Sequence, residues 1–360
     1  NMNQVVVSAV KWDQPKQDIP IKVSSISPNS TALQNPQTAA DLLGASHEVF
    51  IQKSQQGGGS PMIRGFSTNR LLYTVDGVRM NTAIFRSGNL QNVISLDPFS
   101  MESAEVLFGP GSVIYGSDAI GGVMSFRTLT PQFSLSDEPH ITGKAVTRYS
   151  SANNEKTAHI DINVGWRRFA SVTSISTYDY GDLKMGGHGP DDYLRSFYVE
   201  RINGEDAVKK NEDSQLQKPT GYTQINIMQK FQYLPTDELE IDYGFHYSET
   251  SDYPRYDRLI RTKNGEPRSA EWYYGPQIWM MNNLSISHKK ENFFYDEMTL
   301  RPAYQYFKES RNDRDFGGEV LYRRVEQVDA FSVNADFKKS VGELTDFYYG
   351  LEWVYDEVAS

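Results

Sequence analysis

The sequence predicts a membrane β-barrel protein with a small α+β domain at its N-terminal end. From about residue 141 onward, apolar and polar residues alternate over segments of about ten residues, and short connections alternate with long ones. The preceding part of the chain lacks this alternation and instead contains glycines at short intervals. Apolar residues make up only 38% of the chain, yet it has 22 Tyr and 18 Phe. This composition fits strands with one aromatic-rich face and one polar face.

Composition excludes several other classes of protein. No run of about 18 apolar residues is present, which excludes helical membrane spans. The absence of cysteine excludes disulfides and thiolate metal sites, and a net charge of −10 argues against a nucleic-acid partner. We find no Ser-His-Asp spacing, paired-carboxylate pattern or HExxH helix, so we expect no enzymatic activity.

The first 20 residues look irregular except for the apolar run Val5, Val6, Val7, Ser8 and Ala9. Such a run is either an edge strand or a segment that pairs with a partner by strand addition. No signal peptide is visible at Asn1, so an exported protein would be a processed form.

The next segment predicts a strand over Ile21–Ile26 and a short helix after Thr38. Thr38 is a suitable N-cap, Leu42 and Leu43 would face inward, and the helix would end near Gly44. A strand over residues 49–54 and a glycine-rich loop follow.

The stretch from Pro61 to Phe126 organises the N-terminal domain. We expect Ile63–Phe66 and Leu71–Val75 to form a strand pair, with a tight turn at Asp76-Gly77. Another strand over Glu105–Phe108 would end at Gly109-Pro110-Gly111. Residues 109–116 resemble a phosphate loop but lack its Gly-Lys-Ser/Thr ending, so nucleotide binding is not expected.

Beyond residue 141 the alternation assigns each strand two faces. Ile160, Ile162, Val164 and Trp166 would point outward, and the polar residues between them inward. The same rule places His246 in the lumen. A soluble β-sandwich is disfavoured because the strands are long, their outward ends are rich in Tyr, Trp and Phe, and the connections alternate in length. We count about nine strands, too few to close a large barrel, and therefore expect a longer protein.

Four short motifs follow one another in the N-terminal part of the chain: Ile63-Arg64-Gly65-Phe66, Val75-Asp76-Gly77-Val78-Arg79, Glu105-Val106 with Gly109-Pro110, and Tyr115-Gly116-Ser117 with Ala119-Ile120-Gly121-Gly122-Val123. Each motif alone is weak, but their order ahead of alternating strands is specific. This order resembles that of TonB-dependent outer-membrane transporters. The run from Asp97 to Gly109 is most similar to members from Bacteroidetes-type bacteria, among which haem and iron-chelate receptors are frequent.

This resemblance implies a barrel of about 22 strands filled by an N-terminal plug domain, in the bacterial outer membrane and in contact with its lipids. It divides the chain into an N-terminal segment (1–20), a plug domain (21–130) and the first part of the barrel (131–360). It makes Val5–Ala9 the TonB box, the segment offered to TonB of the inner-membrane energy-coupling complex.

Charged plug residues would meet the barrel wall, so we expect Arg64, Asp76, Arg79 and Glu105 to form ion pairs with side chains that point inward. Alternatively, Arg64 and Glu105 satisfy each other within the plug. The resemblance also assigns structural roles in the plug to Gly65, Gly77, Gly109, Pro110, Tyr115, Gly116, Gly121 and Gly122.

Ligand binding is expected in residues 80–90, 184–192 and 253–277. Phe85 and Arg86 would either contact cargo or only pack in the lumen. His188, flanked by glycines, is the candidate haem ligand, although a loop histidine is usually only solvated. A third group combines cationic and aromatic side chains, which suit a flat anionic chelate, although loops that only stabilise one another share this composition. Its members are Tyr253, Arg255, Tyr256, Arg258, Trp272, Tyr273 and Tyr274.

These observations predict TonB-dependent import of a scarce nutrient, haem or an iron chelate, by a protein with no cofactor of its own. The alternative is an outer-membrane receptor or signal transducer that binds an extracellular ligand without transporting it.

Overall fold

The structure, a computed structural model, describes residues 6–7, 11–12, 14–15, 21–27, 35–53, 55–81, 83, 93–342 and 345–360. Within these residues, no helix is both long enough and apolar enough to cross a membrane. The first elements are two short antiparallel strands, β1 (Val6–Val7) and β2 (Gln14–Pro15).

The plug region is built around a five-stranded sheet with the order β3-β8-β9-β6-β7. The helix α1 and the paired strands β4 and β5 lie outside this sheet. The elements of the plug region are β3 (Lys22–Ile26), α1 (Ala39–Gly44), β4 (Phe50–Gln52), β5 (Ser60–Met62), β6 (Leu71–Val75), β7 (Val78–Arg79), β8 (Met101–Phe108), α2 (Ser112–Tyr115) and β9 (Gly122–Thr128).

Helix α1 begins where the sequence predicts. Thr38 Oγ1 accepts a hydrogen bond from Asp41 N at 3.2 Å, and the Asp41 carboxylate accepts one from Thr38 N at 3.1 Å. This reciprocal capping box satisfies two backbone donors at the helix start. Leu42 and Leu43 are fully buried, so the predicted inward face is confirmed.

The predicted strand pair between Ile63–Phe66 and Leu71–Val75 is wrong. Arg64 and Gly65 have φ values of 49° and 83°, so this segment closes a tight turn in which Ile63 and Phe66 exchange backbone hydrogen bonds. Two successive left-handed residues cannot continue a strand. Strand β6 instead pairs in parallel with β9 and antiparallel with β7.

The predicted turn at Asp76-Gly77 is confirmed: it connects β6 to β7, with φ values of 49° and 80°. Close packing against the Phe66 side chain requires a glycine at residue 121, since a Cβ there would lie 2.3 Å from Phe66 Cβ.

The barrel region contains nine long strands within the described residues, each antiparallel to the next, in the order β10-β11-β12-β17-β18-β23-β24-β25-β26. The number matches the sequence prediction. The strands of this region are β10 (His140–Ser150), β11 (Glu155–Gly165), β12 (Phe169–Tyr180), β13 (Leu183–Lys184), β14 (Phe197–Ile202), β15 (Glu205–Lys210), β16 (Leu216–Gln217), β17 (Tyr222–Tyr233), β18 (Leu239–Thr250), β19 (Tyr253–Pro254), β20 (Thr262–Lys263), β21 (Glu266–Pro267), β22 (Ser269–Tyr274), β23 (Ile278–Lys289), β24 (Glu297–Asp315), β25 (Tyr322–Val341) and β26 (Thr345–Ala359); helix α3 (Tyr256–Leu259) follows β19.

Alternation along the long strands separates an apolar outer face from a polar inner one, as predicted. On β11, Ile160 and Ile162 are each 46% exposed, whereas His159 and Asn163 are buried. Near one end of the strands, an outward row of rings joins Trp166, Phe169, Phe231 and Tyr243 at centroid spacings of 5.9, 6.0 and 6.4 Å. Such rows are typical of the membrane interface.

The plug occupies the inner face of this sheet. Its core residues, among them Leu42, Tyr73 and Phe126, form one buried cluster with the inward side chains of Trp279, Met281 and Phe307. The plug and the barrel wall therefore share a hydrophobic core.

The loops also divide as predicted. Residues 234–238 and 290–296 make short connections on one side. On the other side, residues 181–221 and 251–277 form long connections that contain β13–β16, and β19–β22 with α3. In outer-membrane barrels the long loops are extracellular and the short turns periplasmic.

Candidate functional site

Asp76, in the turn between β6 and β7, connects the plug to the barrel wall. Its carboxylate accepts hydrogen bonds from Thr128 N at 2.9 Å and Thr128 Oγ1 at 2.7 Å, both within the plug. On the wall, Lys230 Nζ lies 3.3 Å and His246 Nε2 3.4 Å from Asp76 Oδ2. His246 thus faces the lumen, as the alternation predicts. The result is a buried ion pair between two domains.

Two opposing effects determine the pKa of Asp76. Burial alone would raise this pKa, because it disfavours the charged carboxylate. The charge of Lys230 and the contacts with His246 and Thr128 outweigh burial and hold the pKa of Asp76 well below its usual range. Asp76 therefore remains ionised at neutral pH.

Arg79 makes a second plug-to-wall contact. Its Nε and Nη2 each lie 3.2 Å from a carboxylate oxygen of Glu352 on β26, while Nη1 donates to Asp118 Oδ2 within the plug at 3.2 Å. Arg64 is placed differently: its exposed guanidinium lies 5.8 Å from the centroid of the Phe108 ring. Glu105 is buried on β8.

The segment Ile94–Phe99, which we call the clasp segment, forms hydrogen bonds with strands β12 and β17 and with the residue just before β23. Gln224 Nε2 donates to Ile94 O at 2.8 Å, and Gln277 Nε2 donates to Ser95 Oγ at 3.2 Å. The Asp97 carboxylate accepts hydrogen bonds from Ser176 Oγ at 2.6 Å and Tyr178 Oη at 2.5 Å.

Phe99 completes the clasp segment by stacking on His159, with centroids 4.8 Å apart. Asp97, Ser176 and Tyr178 are not among the site residues predicted from the sequence. The inward positions of Ser176 and Tyr178 follow from strand alternation, but no pattern in the sequence pairs them with Asp97.

The residues just after the predicted TonB box also contact the wall. Lys11 Nζ lies 3.0 Å from Asp336 Oδ1, whose other oxygen accepts a hydrogen bond from Arg301 at 2.9 Å. The rings of Trp12 and Tyr348 lie 4.5 Å apart. Of the predicted TonB box, Val6 and Val7 form β1, while Val5, Ser8 and Ala9 lie outside the described residues.

The cationic and aromatic residues of loop 251–277 contact one another. Arg255 donates to Asp257 Oδ1 at 2.6 Å and to Tyr274 Oη at 2.6 Å, and its guanidinium lies 5.4 Å from the Trp272 ring centroid. Tyr253 is fully buried and donates to Gln277 Oε1 at 2.7 Å. Two further members of the predicted ligand group, Tyr256 and Tyr273, are only partly buried and lie on α3 and β22.

Two buried arginines connect the long loops. Arg195, in loop 181–221, donates to Lys218 O at 3.1 Å in its own loop and to Leu259 O at 3.3 Å in loop 251–277. Arg314 on β24 holds Asp206 with two hydrogen bonds of 2.7 and 2.8 Å, which lower the pKa of that carboxyl. The loops therefore form one bonded unit.

The other predicted ligand residues are less constrained. His188 lies exposed in a turn of loop 181–221. Among the described residues, no group of three or more His, Cys, Asp or Glu side chains is placed to hold a metal ion. Phe85 and Arg86 lie outside the described residues. Their roles in ligand binding, including haem ligation by His188, stay predictions.

Comparison with known proteins places this geometry in a family. The profile of the TonB-dependent Receptor Plug Domain matches residues 15–123. The vitamin B12 transporter BtuB of Vibrio vulnificus is 36% identical over 134 residues, which cover 36% of this chain and 21% of that protein. The hemin receptor of Yersinia pestis is 29% identical over 197 residues, or 52% of this chain and 28% of that protein.

Solved structures share the fold. The copper transporter OprC superposes with a TM-score of 0.71 at 13% identity, covering 93% of this chain and 45% of that one. The FrpB iron transporter of Neisseria meningitidis gives a TM-score of 0.69 at 16% identity, with coverages of 94% and 49%. The chain thus spans about half the length of these structures and less of the sequence relatives.

Long antiparallel strands with an apolar outer face, and an inner face occupied by a folded domain, define a plugged outer-membrane barrel. Together with the matching profile over residues 15–123, these features show a TonB-dependent receptor plug domain followed by part of an outer-membrane barrel.

Proposed function

We propose that the whole protein binds haem or a ferric chelate at its extracellular face and imports it across the outer membrane, with TonB acting on its N-terminal segment. The observation that carries this proposal is the plug itself, which shares a buried core with the barrel wall and is also held to it by polar contacts at Asp76, Arg79 and Asp97. Transport through such a barrel requires these contacts to yield.

The N-terminal contacts support a role for this segment. The side chains of Lys11 and Asp336 are 9% and 4% exposed, and the neighbouring Trp12 packs against Tyr348 in a tilted arrangement. Breaking one side of a buried ion pair costs several kcal/mol, because the remaining charge is left without its partner. A partner that bound Val5–Ala9 and pulled would load this contact before the plug sheet.

Two observations support an iron-containing cargo. The match to the Yersinia pestis hemin receptor covers 52% of this chain and extends beyond the plug-sized segment matched by BtuB. Loop 251–277 also presents three arginines, Arg255, Arg258 and Arg261, around the single carboxylate of Asp257. Excess positive charge beside Trp272 suits an anionic, flat ligand.

Deletion of Met2–Ala9 in the full-length protein tests the transport proposal. Uptake by cells should be abolished while cargo binding to purified protein is retained, because the deletion leaves the plug and loops intact. Unchanged uptake would exclude TonB-dependent import through this segment. Retained binding without any uptake by the intact protein would favour a non-transporting receptor.

The cargo can be identified from the full-length protein purified from its host. A Soret band in the absorption spectrum, with the haem mass in the denatured sample, is expected if haem is carried. A ferric chelate in the mass spectrum without a Soret band would select the other cargo, and a metal-free organic ligand would contradict both.

A further inference from the structure

A continuous column of aromatic rings runs from strand β12 of the barrel wall, where it meets the plug, to loop 251–277. Successive centroids are 5.8 Å apart for Tyr178 and Tyr180, 4.8 Å for Tyr180 and Tyr222, and 6.1 Å for Tyr222 and Tyr253. The column continues to Tyr274 at 5.7 Å and ends at Trp272 at 5.0 Å. All of these spacings fall in the range of attractive ring pairs. We call these six residues the aromatic column.

The two ends of the column differ. At its inner end, Tyr178 donates to the Asp97 carboxylate and lies 6.3 Å from the Phe99 ring, so it contacts the clasp segment twice. At its outer end, Trp272 and Tyr274 surround the Arg255 guanidinium of the candidate ligand loop. The column therefore links a plug carboxylate to the proposed ligand loop through one hydrogen bond and a series of ring contacts.

Burial makes this link stiff. The five tyrosines of the column are each between 0% and 4% exposed, and close-packed interiors transmit displacements because they contain few voids that could absorb them. A shift of Trp272 therefore has to displace the neighbouring rings in turn. At the far end of the column, this displacement strains the hydrogen bond between Tyr178 and Asp97.

We propose that the aromatic column couples loop 251–277 to the plug, and that Asp97 is the positioning residue through which movement of the column loosens the clasp segment. This coupling rests on the proposed function in one respect: a ligand bound at the long loops would start the movement. Perturbing the outer end of the column changes how tightly the plug is held, even without ligand.

The chain contains no cysteine, so a single reporter thiol can test this coupling. Val93 precedes the clasp segment and is 1% exposed. In the full-length protein carrying Val93→Cys, labelling by a water-soluble maleimide measures opening of the clasp segment. Asp97→Asn should accelerate labelling by about tenfold or more, since it weakens two hydrogen bonds to a charged group. Trp272→Ala should accelerate it by about fivefold or more, the usual scale of coupling between sites.

Matched variants separate coupling from general damage. Trp353→Ala removes an exposed ring that lies outside the column and should leave the labelling rate unchanged. Trp272→Phe keeps a ring at the outer end and should restore a rate near that of the parent. Each variant must also retain the heat-modifiable migration of a folded barrel on a detergent gel. In a protein that already carries Asp97→Asn, Trp272→Ala should increase the labelling rate only slightly, because the effects of two changes in one series of contacts are not additive.

A folded Trp272→Ala variant with the parent labelling rate would overturn the proposal. Equal acceleration by Trp272→Ala with and without Asp97→Asn would also overturn it, since the effect would then bypass the clasp. Neither measurement uses cargo or TonB. If the transport proposal fails, the labelling results expected here do not change. If the coupling proposal fails, the uptake expected of the full-length protein does not change.

Discussion

The ion pair between Asp76 and Lys230 offers a quantitative test of how the plug is retained. Asp76→Asn keeps a side chain that can accept a hydrogen bond from Thr128 but removes the charge that faces Lys230, whose side chain is only 11% exposed. Removing one partner of a buried pair costs about 3–5 kcal/mol. We therefore expect the free energy of plug unfolding to fall by about that amount.

The double variant distinguishes an ion pair from simple packing. Asp76→Asn together with Lys230→Met removes both charges of the pair. The free energy of unfolding should therefore fall by less than the sum of the two single effects, by a margin of about 2 kcal/mol or more. The assay is labelling of the Val93→Cys reporter at increasing urea, extrapolated linearly to water. Additive single losses would refute the ion-pair reasoning.

The same pair gives a pH dependence. The pKa of Asp76 lies below its usual value in the folded protein, so its contribution to stability is present above the unfolded pKa of about 3.9 and is lost as pH falls through the folded pKa. The stability difference between the parent and Asp76→Asn should thus be constant from about pH 5 to 8 and narrow below about pH 4. A stability difference that stays constant below about pH 4 would contradict this assignment to Asp76.

Three further predictions concern local structure. Thr38→Ala should cost about 1 kcal/mol of plug stability through loss of the helix cap, whereas Thr38→Ser should be nearly neutral in the same urea assay. A Cβ at residue 165 would lie 1.9 Å from a backbone oxygen, so Gly165→Ala should reduce the yield of heat-modifiable barrel while Gly186→Ala, which has open space, should not. Arg314→Lys cannot keep both hydrogen bonds to Asp206 and should increase protease cleavage of loop 181–221; an unchanged digest would contradict the role assigned to this arginine.

Sequence periodicity predicted much of the fold because each barrel strand is fixed by its own residues. The alternation placed Ile160 outward and His246 inward, and the Thr38 cap located a helix of only six residues. Local patterns failed at Ile63–Phe66, where the apolar ends suggested a strand but Arg64 takes a left-handed conformation that non-glycine residues rarely adopt.

The contacts that hold the plug could not be predicted in the same way. Asp97 and Tyr178 are 81 residues apart, and Lys11 and Asp336 are 325 apart. Each member is an ordinary polar residue in its own segment, and only the docking of plug against wall brings them together. Sequence spacing identifies which wall residues face inward, but it does not identify their partners.

The order of the plug sheet has a mechanical consequence. Among the described strands, β3 is an outer edge that pairs only with β8, through five residues from Lys22 to Ile26. Beyond the contact between Lys11 and Asp336, tension entering from the N-terminus would reach this edge before the other strands of the sheet and could break its hydrogen bonds to β8 one after another. Asp76 lies between β6 and β7 and Asp97 precedes β8, so the contacts of these residues with the wall do not involve β3 and would not bear that load at once. Under such a pull the plug would therefore come apart in stages, with β3 leaving the sheet while the other strands stay packed against the barrel wall.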